Sequence, residues 1–136
     1  MTQEVRIALR WRDFDAYGHV NNAVYLNYLE EARDRLVEEL FGRDVAWDFV
    51  LAHVGIDFRS ELVQADAEVL VRCTVASVGR SSLRTREEIR KLDGTLAAEA
   101  ESVIVPRDRD KNRSRPLTES ERAVLAAHID EAPTRA

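Results

Sequence analysis

One cysteine, three histidines and three prolines stand in a chain of 136 residues, and these scarcities exclude whole classes of protein. With Cys73 alone, no disulfide can form within the chain, so a reducing, cytoplasmic setting is expected. Cys73 lies in an alternating apolar run, which suits a small buried core residue better than a nucleophile. His19, His53 and His128 are far apart and no short-spaced His/Cys/Asp cluster joins them, so no metal site is expected. None of the five glycines belongs to a phosphate-cradling loop of the nucleotide-binding kinds. Ser81 and Ser82 stand in G-R-S-S-L, not in the G-x-S-x-G elbow of serine nucleophiles. Long apolar runs are lacking too. No window reaches the length of a membrane span, so no membrane partner is expected. Charges interrupt the first ten residues where a signal peptide needs an apolar stretch. The net charge of −5 opposes the basic surface that a nucleic-acid partner requires.

What is present reads as one domain with one core. Val5, Ile7 and Leu9 alternate with Glu4, Arg6, Ala8 and Arg10, the period of a half-buried strand over 4–10. Tyr25, Tyr28, Leu29, Ala32, Leu36 and Leu40 recur at three- and four-residue steps, which predicts a helix over 23–41 stopped by Gly42. Glu30, Glu31, Arg33, Asp34, Arg35, Glu38 and Glu39 fall to its other face. Ala23, Val24 and Leu26 add apolar positions at its start, so the first half is expected to be the more deeply buried. Four more strands are expected over 49–60, 67–78, 82–91 and 95–105. In the third of these, Arg84, Arg86, Glu88 and Arg90 lie opposite Leu83 and Ile89, and Asp93-Gly94 supplies the turn into the last. A strand, a long helix and four closely linked strands is an α+β pattern, a sheet packed on a helix. Residues 106–116 read as a polar connector. Thr118 and Glu121 have capping-box spacing ahead of a short helix over 119–129, and the last residues are expected to fray. The organisation is therefore a main domain over 1–106, with 107–136 packed on it or trailing from it.

The chemistry concentrates between the first strand and the helix, in W-R-D-F-D-A-Y-G-H-V-N-N-A-V-Y. A helix start carries unpaired N–H donors and a partial positive charge, so it can hold a polarised carbonyl oxygen. A carboxylate beside it can attack that carbonyl or activate water against it. Asp15 is the candidate carboxylate, against the plainer role of an aspartate bonding its own turn. Asp13, two residues earlier on the same side of an extended segment, can raise the pKa of Asp15 and be raised by it. The expected role of Asp13 is nonetheless structural, binding loop N–H groups or Arg12. Gly18 supplies the turn. His19 either fastens the loop or meets the substrate, and both roles stay open. Asn21 or Asn22 can cap the helix, and the Asn22 backbone N–H is the candidate oxyanion donor. Tyr25 and Tyr28 are core or pocket wall. Elsewhere, Gly79-Arg80-Ser81-Ser82 offers an arginine and two hydroxyls on a glycine turn, suited to phosphate oxygens or simply to solvent. Arg59 is a weaker candidate of the same kind, and the basic residues Arg107, Arg109 and Lys111 can attract phosphates or be plain solvated surface.

The same stretch resembles the hotdog-fold acyl-CoA thioesterases, in the branch related to 4-hydroxybenzoyl-CoA thioesterase. That family carries D-x-D-x-x-G-H-V-N-N-x-x-Y-x-x-Y-x-E-x-A-R, matched by Asp13, Asp15, Gly18, His19, Val20, Asn21, Asn22, Tyr25, Tyr28, Glu30, Ala32 and Arg33. The resemblance implies a hotdog fold, a five-stranded antiparallel sheet wrapped around one long helix. It also implies hydrolysis of an acyl-CoA thioester, with Asp15 as nucleophile or general base, Gly18, His19 and Asn22 beside it, and Tyr25 in the acyl pocket. In related proteins the turn equivalent to Arg80, Ser81 and Ser82 lies near coenzyme A, often across a subunit boundary; Arg59 is a further substrate-binding candidate on its sequence setting alone. No cofactor is implied, since coenzyme A belongs to the substrate, and the expected assembly is a homodimer or homotetramer. A hydratase of the same fold is the main alternative. Its signature places Asn-Pro between the aspartate and the histidine, and neither residue stands between Asp15 and His19. A non-catalytic acyl-CoA-binding protein on this fold is the other alternative.

Overall fold

The N-terminal alternation forms strand β1 (Thr2–Ala8), set two residues earlier than its pattern suggests, with Val5 buried and Ile7 half-buried. The computed structural model describes residues 1–46 and 48–129, so the fraying expected of the last residues lies outside the described ones. Helix α1 (Val24–Phe41) follows the motif loop. Gly42 ends it with φ 87°, its N–H donating to the Glu38 carbonyl at 2.8 Å. Glycine takes that backbone angle without a steric penalty. A short helix α2 (Arg43–Ala46) leads to β2 (Phe49–Phe58), followed by β3 (Glu68–Val78), β4 (Leu83–Lys91) and β5 (Leu96–Asp108).

The sheet runs β1-β3-β4-β5-β2, with every neighbouring pair antiparallel. Register shifts at Leu51/His53, Val75/Ser77 and Ile89/Arg90 bend the strands, and such irregularities let a sheet curl around a helix. This is the expected five-strand path, with one addition. The polar connector is no loose tether, because β5 continues through it and turns back into β6 (Arg113–Ser114), which pairs with β5. Asn112, at φ 51°, makes that return; asparagine tolerates the left-handed region better than most side chains.

The stripe on α1 meets the sheet much as its periodicity indicates. Tyr25, Tyr28, Leu29, Ala32, Leu36 and Val37 are buried with Val69, Val71, Cys73, Val75, Leu83 and Ile89. Of the extra apolar positions expected to bury the start of the helix, Leu26 is 39% exposed and Ala23 is exposed, although four of the seven buried residues of α1 fall in its first half. The sheet covers only one side of α1, so apolar residues on its opposite side at the first turn stay uncovered. Arg33 also does not join the solvated face. Its Nη1 donates inside the core to Ser102 Oγ at 3.2 Å and to Glu87 Oε1 at 3.4 Å. Thr85 Oγ1 donates to the same Glu87 oxygen at 2.9 Å, while Glu87 Oε2 has no partner among the described residues. Burial pushes the Glu87 carboxyl up, against the pull of Ser102, Arg33 and Thr85. Cys73 is wholly buried, and burial followed by the charge of Glu87 pushes its thiol well up. It is a core residue, as its setting in the sequence suggests, and no thiolate nucleophile.

Helix α3 (Glu119–Ala127) begins with the capping box: Glu121 N–H donates to Thr118 Oγ1 at 3.1 Å, and Thr118 N–H to Glu121 Oε1 at 2.8 Å. Arg115 grips the same carboxylate with both terminal nitrogens, at 2.8 and 3.1 Å. Leu117 and Leu125 are buried in the common core, and Ile129 bridges to Val75 of β3. As far as Ile129, the C-terminal segment thus packs on the sheet.

Candidate active site

The motif loop is a small hairpin laid against the start of α1. Asn21 N–H donates to the Asp13 carbonyl and Asp15 N–H to the His19 carbonyl, both at 2.8 Å, while Phe14 bridges Val20 between them. Gly18 closes the tip with φ 81°, its N–H donating to the Asp15 carbonyl at 3.1 Å. Asp15 and His19 therefore face one another across the last rung. The Asp15 side chain also serves the turn. Oδ1 accepts from Tyr17 N–H at 2.9 Å and from His19 N–H at 3.3 Å. Oδ2 has no partner among the described residues, and Asp15 is half-buried. One oxygen holds the loop and the other is available.

Asp13 has the opposite setting. It is 1% exposed. Oδ2 accepts from Arg10 N–H at 3.0 Å and from the Tyr28 hydroxyl at 2.8 Å, and Oδ1 accepts from the Arg10 guanidinium at 3.2 and 3.3 Å. Burial alone would push this carboxyl up, but the Arg10 N–H, Tyr28 and the Arg10 guanidinium together hold it below the ordinary range. The expectation that the two aspartates raise one another is overturned for Asp13. Its structural role stands, with Arg10 in place of Arg12, because the 3-10 turn Trp11–Asp13 brings Arg10 and Asp13 together.

Helix α1 opens one residue later than expected. Ala23 is the N-cap residue and contributes no side-chain bond; Asn21 Oδ1 instead accepts from Ala23 N–H at 2.9 Å. Asn22 is exposed between them, and among the described residues its backbone N–H has no acceptor. Tyr25 is 3% exposed and packs edge-on against Phe58, with ring centroids 5.0 Å apart. It lies beneath the surface of this single chain.

His19 meets a residue that the sequence reading did not single out. Its Nε2 lies 3.2 Å from Glu61 Oε2. No spacing rule joins Glu61 to the motif; the two meet because His19 pairs with Val63 as an isolated bridge and Val20 N–H donates to the Leu62 carbonyl at 2.9 Å.

The remaining candidates fall into two groups. Arg59 is near the Glu61 segment, but Asp57 at 3.6 Å and Glu99 at 3.4 Å already flank its guanidinium. Arg80, Ser81 and Ser82 form the turn between β3 and β4. A Cβ at Gly79 would lie 2.7 Å from Ser82 Oγ, so any side chain there would make that hydroxyl turn away. The turn is tied to the C-terminal segment by Leu117 N–H donating to the Arg80 carbonyl at 2.9 Å. The motif loop adjoins the start of β3, where Leu9 N–H meets the Ala67 carbonyl. The Arg80 turn is at the other end of that 11-residue strand, roughly 35 Å away along an extended chain. Within one chain the structure does not bring Arg80, Ser81 and Ser82 to Asp15. Arg107 and Arg109 are occupied by Asn112 and by Asp48, respectively. Among the described residues no group of three or more His, Cys, Asp or Glu converges as a metal site would require, and no helix is long and apolar enough to cross a membrane.

A curled antiparallel sheet of this order packed against one long helix is the hotdog fold. The chain belongs to the thioesterase-like superfamily, which it matches over residues 9–129. It is 28% identical over 103 residues to the long-chain acyl-CoA thioesterase FadM of Escherichia coli (strain K12), covering 71% of this chain and 76% of that protein. Among solved structures it resembles a thioesterase from Thermus thermophilus complexed with coenzyme A and Zn, at 34% identity and TM-score 0.80 over 92% of each chain. A predicted thioesterase from Bacillus stearothermophilus superposes with TM-score 0.86 at 25% identity, over 98% of this chain and 100% of that one.

Proposed function

We propose that this chain hydrolyses acyl-CoA thioesters to a free acid and coenzyme A, with Asp15 as nucleophile or general base. The observation that carries this is the free Oδ2 of Asp15, set across one backbone rung from His19 in the loop that opens α1. Membership of the thioesterase-like superfamily supplies the reaction class. Oδ2 either attacks the thioester carbon or takes a proton from water that attacks it. The carbonyl oxygen becomes an oxyanion that collapses as the C–S bond breaks; the thiolate is protonated by Asp15 in the base route or by solvent in the nucleophile route, where water then hydrolyses the Asp15 anhydride to the free acid. The Asn22 N–H, without an acceptor of its own among the described residues, is the donor assigned to the oxyanion. A free acyl-CoA is the substrate and no separate cofactor is needed. The lone free thiol of Cys73 fits a cytoplasmic enzyme.

Assembly belongs to the same proposal. Strand β2 ends the sheet with an open edge and carries Val50, Leu51 and Phe58 at 37%, 44% and 47% exposure. Open apolar edges invite pairing with another strand. A second copy docked edge to edge would cover them, and could bring its Arg80 turn toward the Asp15 loop of the first.

The test is thiol release from a panel of acyl-CoAs beside the Asp15→Asn variant, with long chains included because the Escherichia coli relative is a long-chain acyl-CoA thioesterase. Asparagine keeps an oxygen to accept the Tyr17 and His19 N–H bonds but loses the charge. We expect an unchanged fold and a turnover reduced by about a hundredfold or more, the usual scale for a lost acid-base group. Undiminished turnover would move the catalytic carboxylate away from Asp15. No release from any thioester by the parent protein would favour the acyl-CoA-binding alternative.

A further inference from the structure

His19 and Glu61 meet through the backbone. His19 pairs with Val63, so the residue two positions before Val63 is its diagonal neighbour on the same face. That residue is Glu61. Its segment is pinned on both sides: Arg59 and Ser60 N–H both donate to the Ala97 carbonyl, at 2.8 and 3.1 Å, and the Leu62 carbonyl accepts from Val20 at 2.9 Å. Leu62 is wholly buried, while the Glu61 side chain is 70% exposed and the His19 side chain 39%. The backbone thus delivers the Glu61 carboxylate to Nε2 from fixed ground. Nδ1 has no partner among the described residues.

An imidazole whose Nε2 is held by an acceptor carries its proton there and keeps its lone pair on Nδ1. We propose that Glu61 is a positioning residue for His19, fixing the ring and its tautomer so that Nδ1 accepts a hydrogen bond from the water that attacks the thioester. This rests on the hydrolase proposal above. In this step Asp15 takes one proton from the attacking water, and His19 orients the water's other hydrogen. The exposure of Glu61 means its replacement leaves the core untouched.

Two measurements on Glu61→Ala, Glu61→Gln and the His19→Ala pairings test it. The first is the ring nitrogen shifts of His19 by NMR at a pH where imidazole is neutral, which needs no substrate. The parent Nδ1 should resonate as an unprotonated nitrogen. Glu61→Ala should move it toward the mixed tautomers of an unheld ring, and Glu61→Gln, whose amide oxygen still accepts, should restore most of the parent signal. The second is kinetic. Glu61→Ala should lower kcat about two- to fivefold with KM unchanged, the scale of an exposed pair worth up to ~1 kcal/mol. The same change in a His19→Ala background should cost nothing more. A loss that persists without His19 would mean that Glu61 acts on substrate directly, and would overturn the proposal. Parent hydrolysis with an unshifted ring and unchanged kcat in Glu61→Ala would overturn it while leaving the hydrolase proposal standing. A shifted ring in a protein that hydrolyses no acyl-CoA would sink the hydrolase proposal and reduce Glu61 to a loop fastener.

Discussion

Two carboxylates two residues apart meet opposite surroundings in the loop before α1. Asp13 has both oxygens committed to Arg10 and Tyr28 inside the fold, so replacing it strands buried donors. Asp13→Asn points an amide nitrogen at one of those donors, and we expect a loss of about 2–3 kcal/mol in chemical denaturation, the scale of an unsatisfied buried charge-assisted bond. The loss should depend on pH with a definite sign. Because the folded carboxyl is held below its ordinary 3.8, its stabilisation is fully present above that value and fades as pH falls through the lower folded one. Melting curves of parent and variant should therefore differ most near neutrality and converge in strong acid. Asp15→Asn should show no such gap, since asparagine preserves its turn bonds. The turn that brings Asp15, Gly18 and His19 together was legible because the loop is contiguous in sequence. The structural role of Asp13 was legible as well, but its partners were not, because they depend on Tyr28, a helical turn beyond the loop, and on which arginine the 3-10 turn folds inward.

At the scale of elements, period-two and period-3.6 patterns placed the long helix and the five strands of the sheet path to within a few residues. They failed where a charge occupies an apolar position. Positions 83, 85, 87 and 89 of β4 share the buried face, so alternation alone already puts Glu87 inside; likewise Tyr25, Leu29 and Arg33 recur at four-residue steps on α1. Assigning Arg33 to the solvated face hid it, and Glu87 was assigned to neither face, although an acid and a base on facing buried stripes can answer one another. A buried pair of this kind costs most when half of it is removed. Arg33→Met should leave Glu87 without its counter-charge and destabilise the protein by about 3–5 kcal/mol. Adding Glu87→Leu to it should recover most of that, because the core then holds no unpaired charge. Urea titrations of the two single variants and the double one form the cycle that checks this, and additive losses would show that Arg33 and Glu87 do not depend on one another.

For the whole molecule, the Asp15 loop and the Arg80 turn lie at opposite ends of β3, so on the proposed function a site that used both would draw them from two copies. The proposed homodimer rests on the family resemblance and on the open edge of β2, and the proposed role of Arg80 depends on it. Leu51→Glu puts a charge on the exposed edge strand without entering the core; we expect the dissociation constant to rise at least tenfold, about 1.4 kcal/mol, as read by sedimentation, with little change in melting temperature. Thiol release should fall as monomer accumulates. Mixing experiments then test whether a site is shared. If Asp15 of one copy works with Arg80 of the other, Asp15→Asn and Arg80→Ala proteins are each impaired alone. Exchanged together, half of the dimers are mixed, and in each of those one site carries both substitutions while the other carries neither. About a quarter of all sites should then regain parental activity, as two-fold symmetry requires. If Asp15 and Arg80 instead serve one site within a single copy, every site in the mixture keeps one substitution and activity stays at the level of the separate variants.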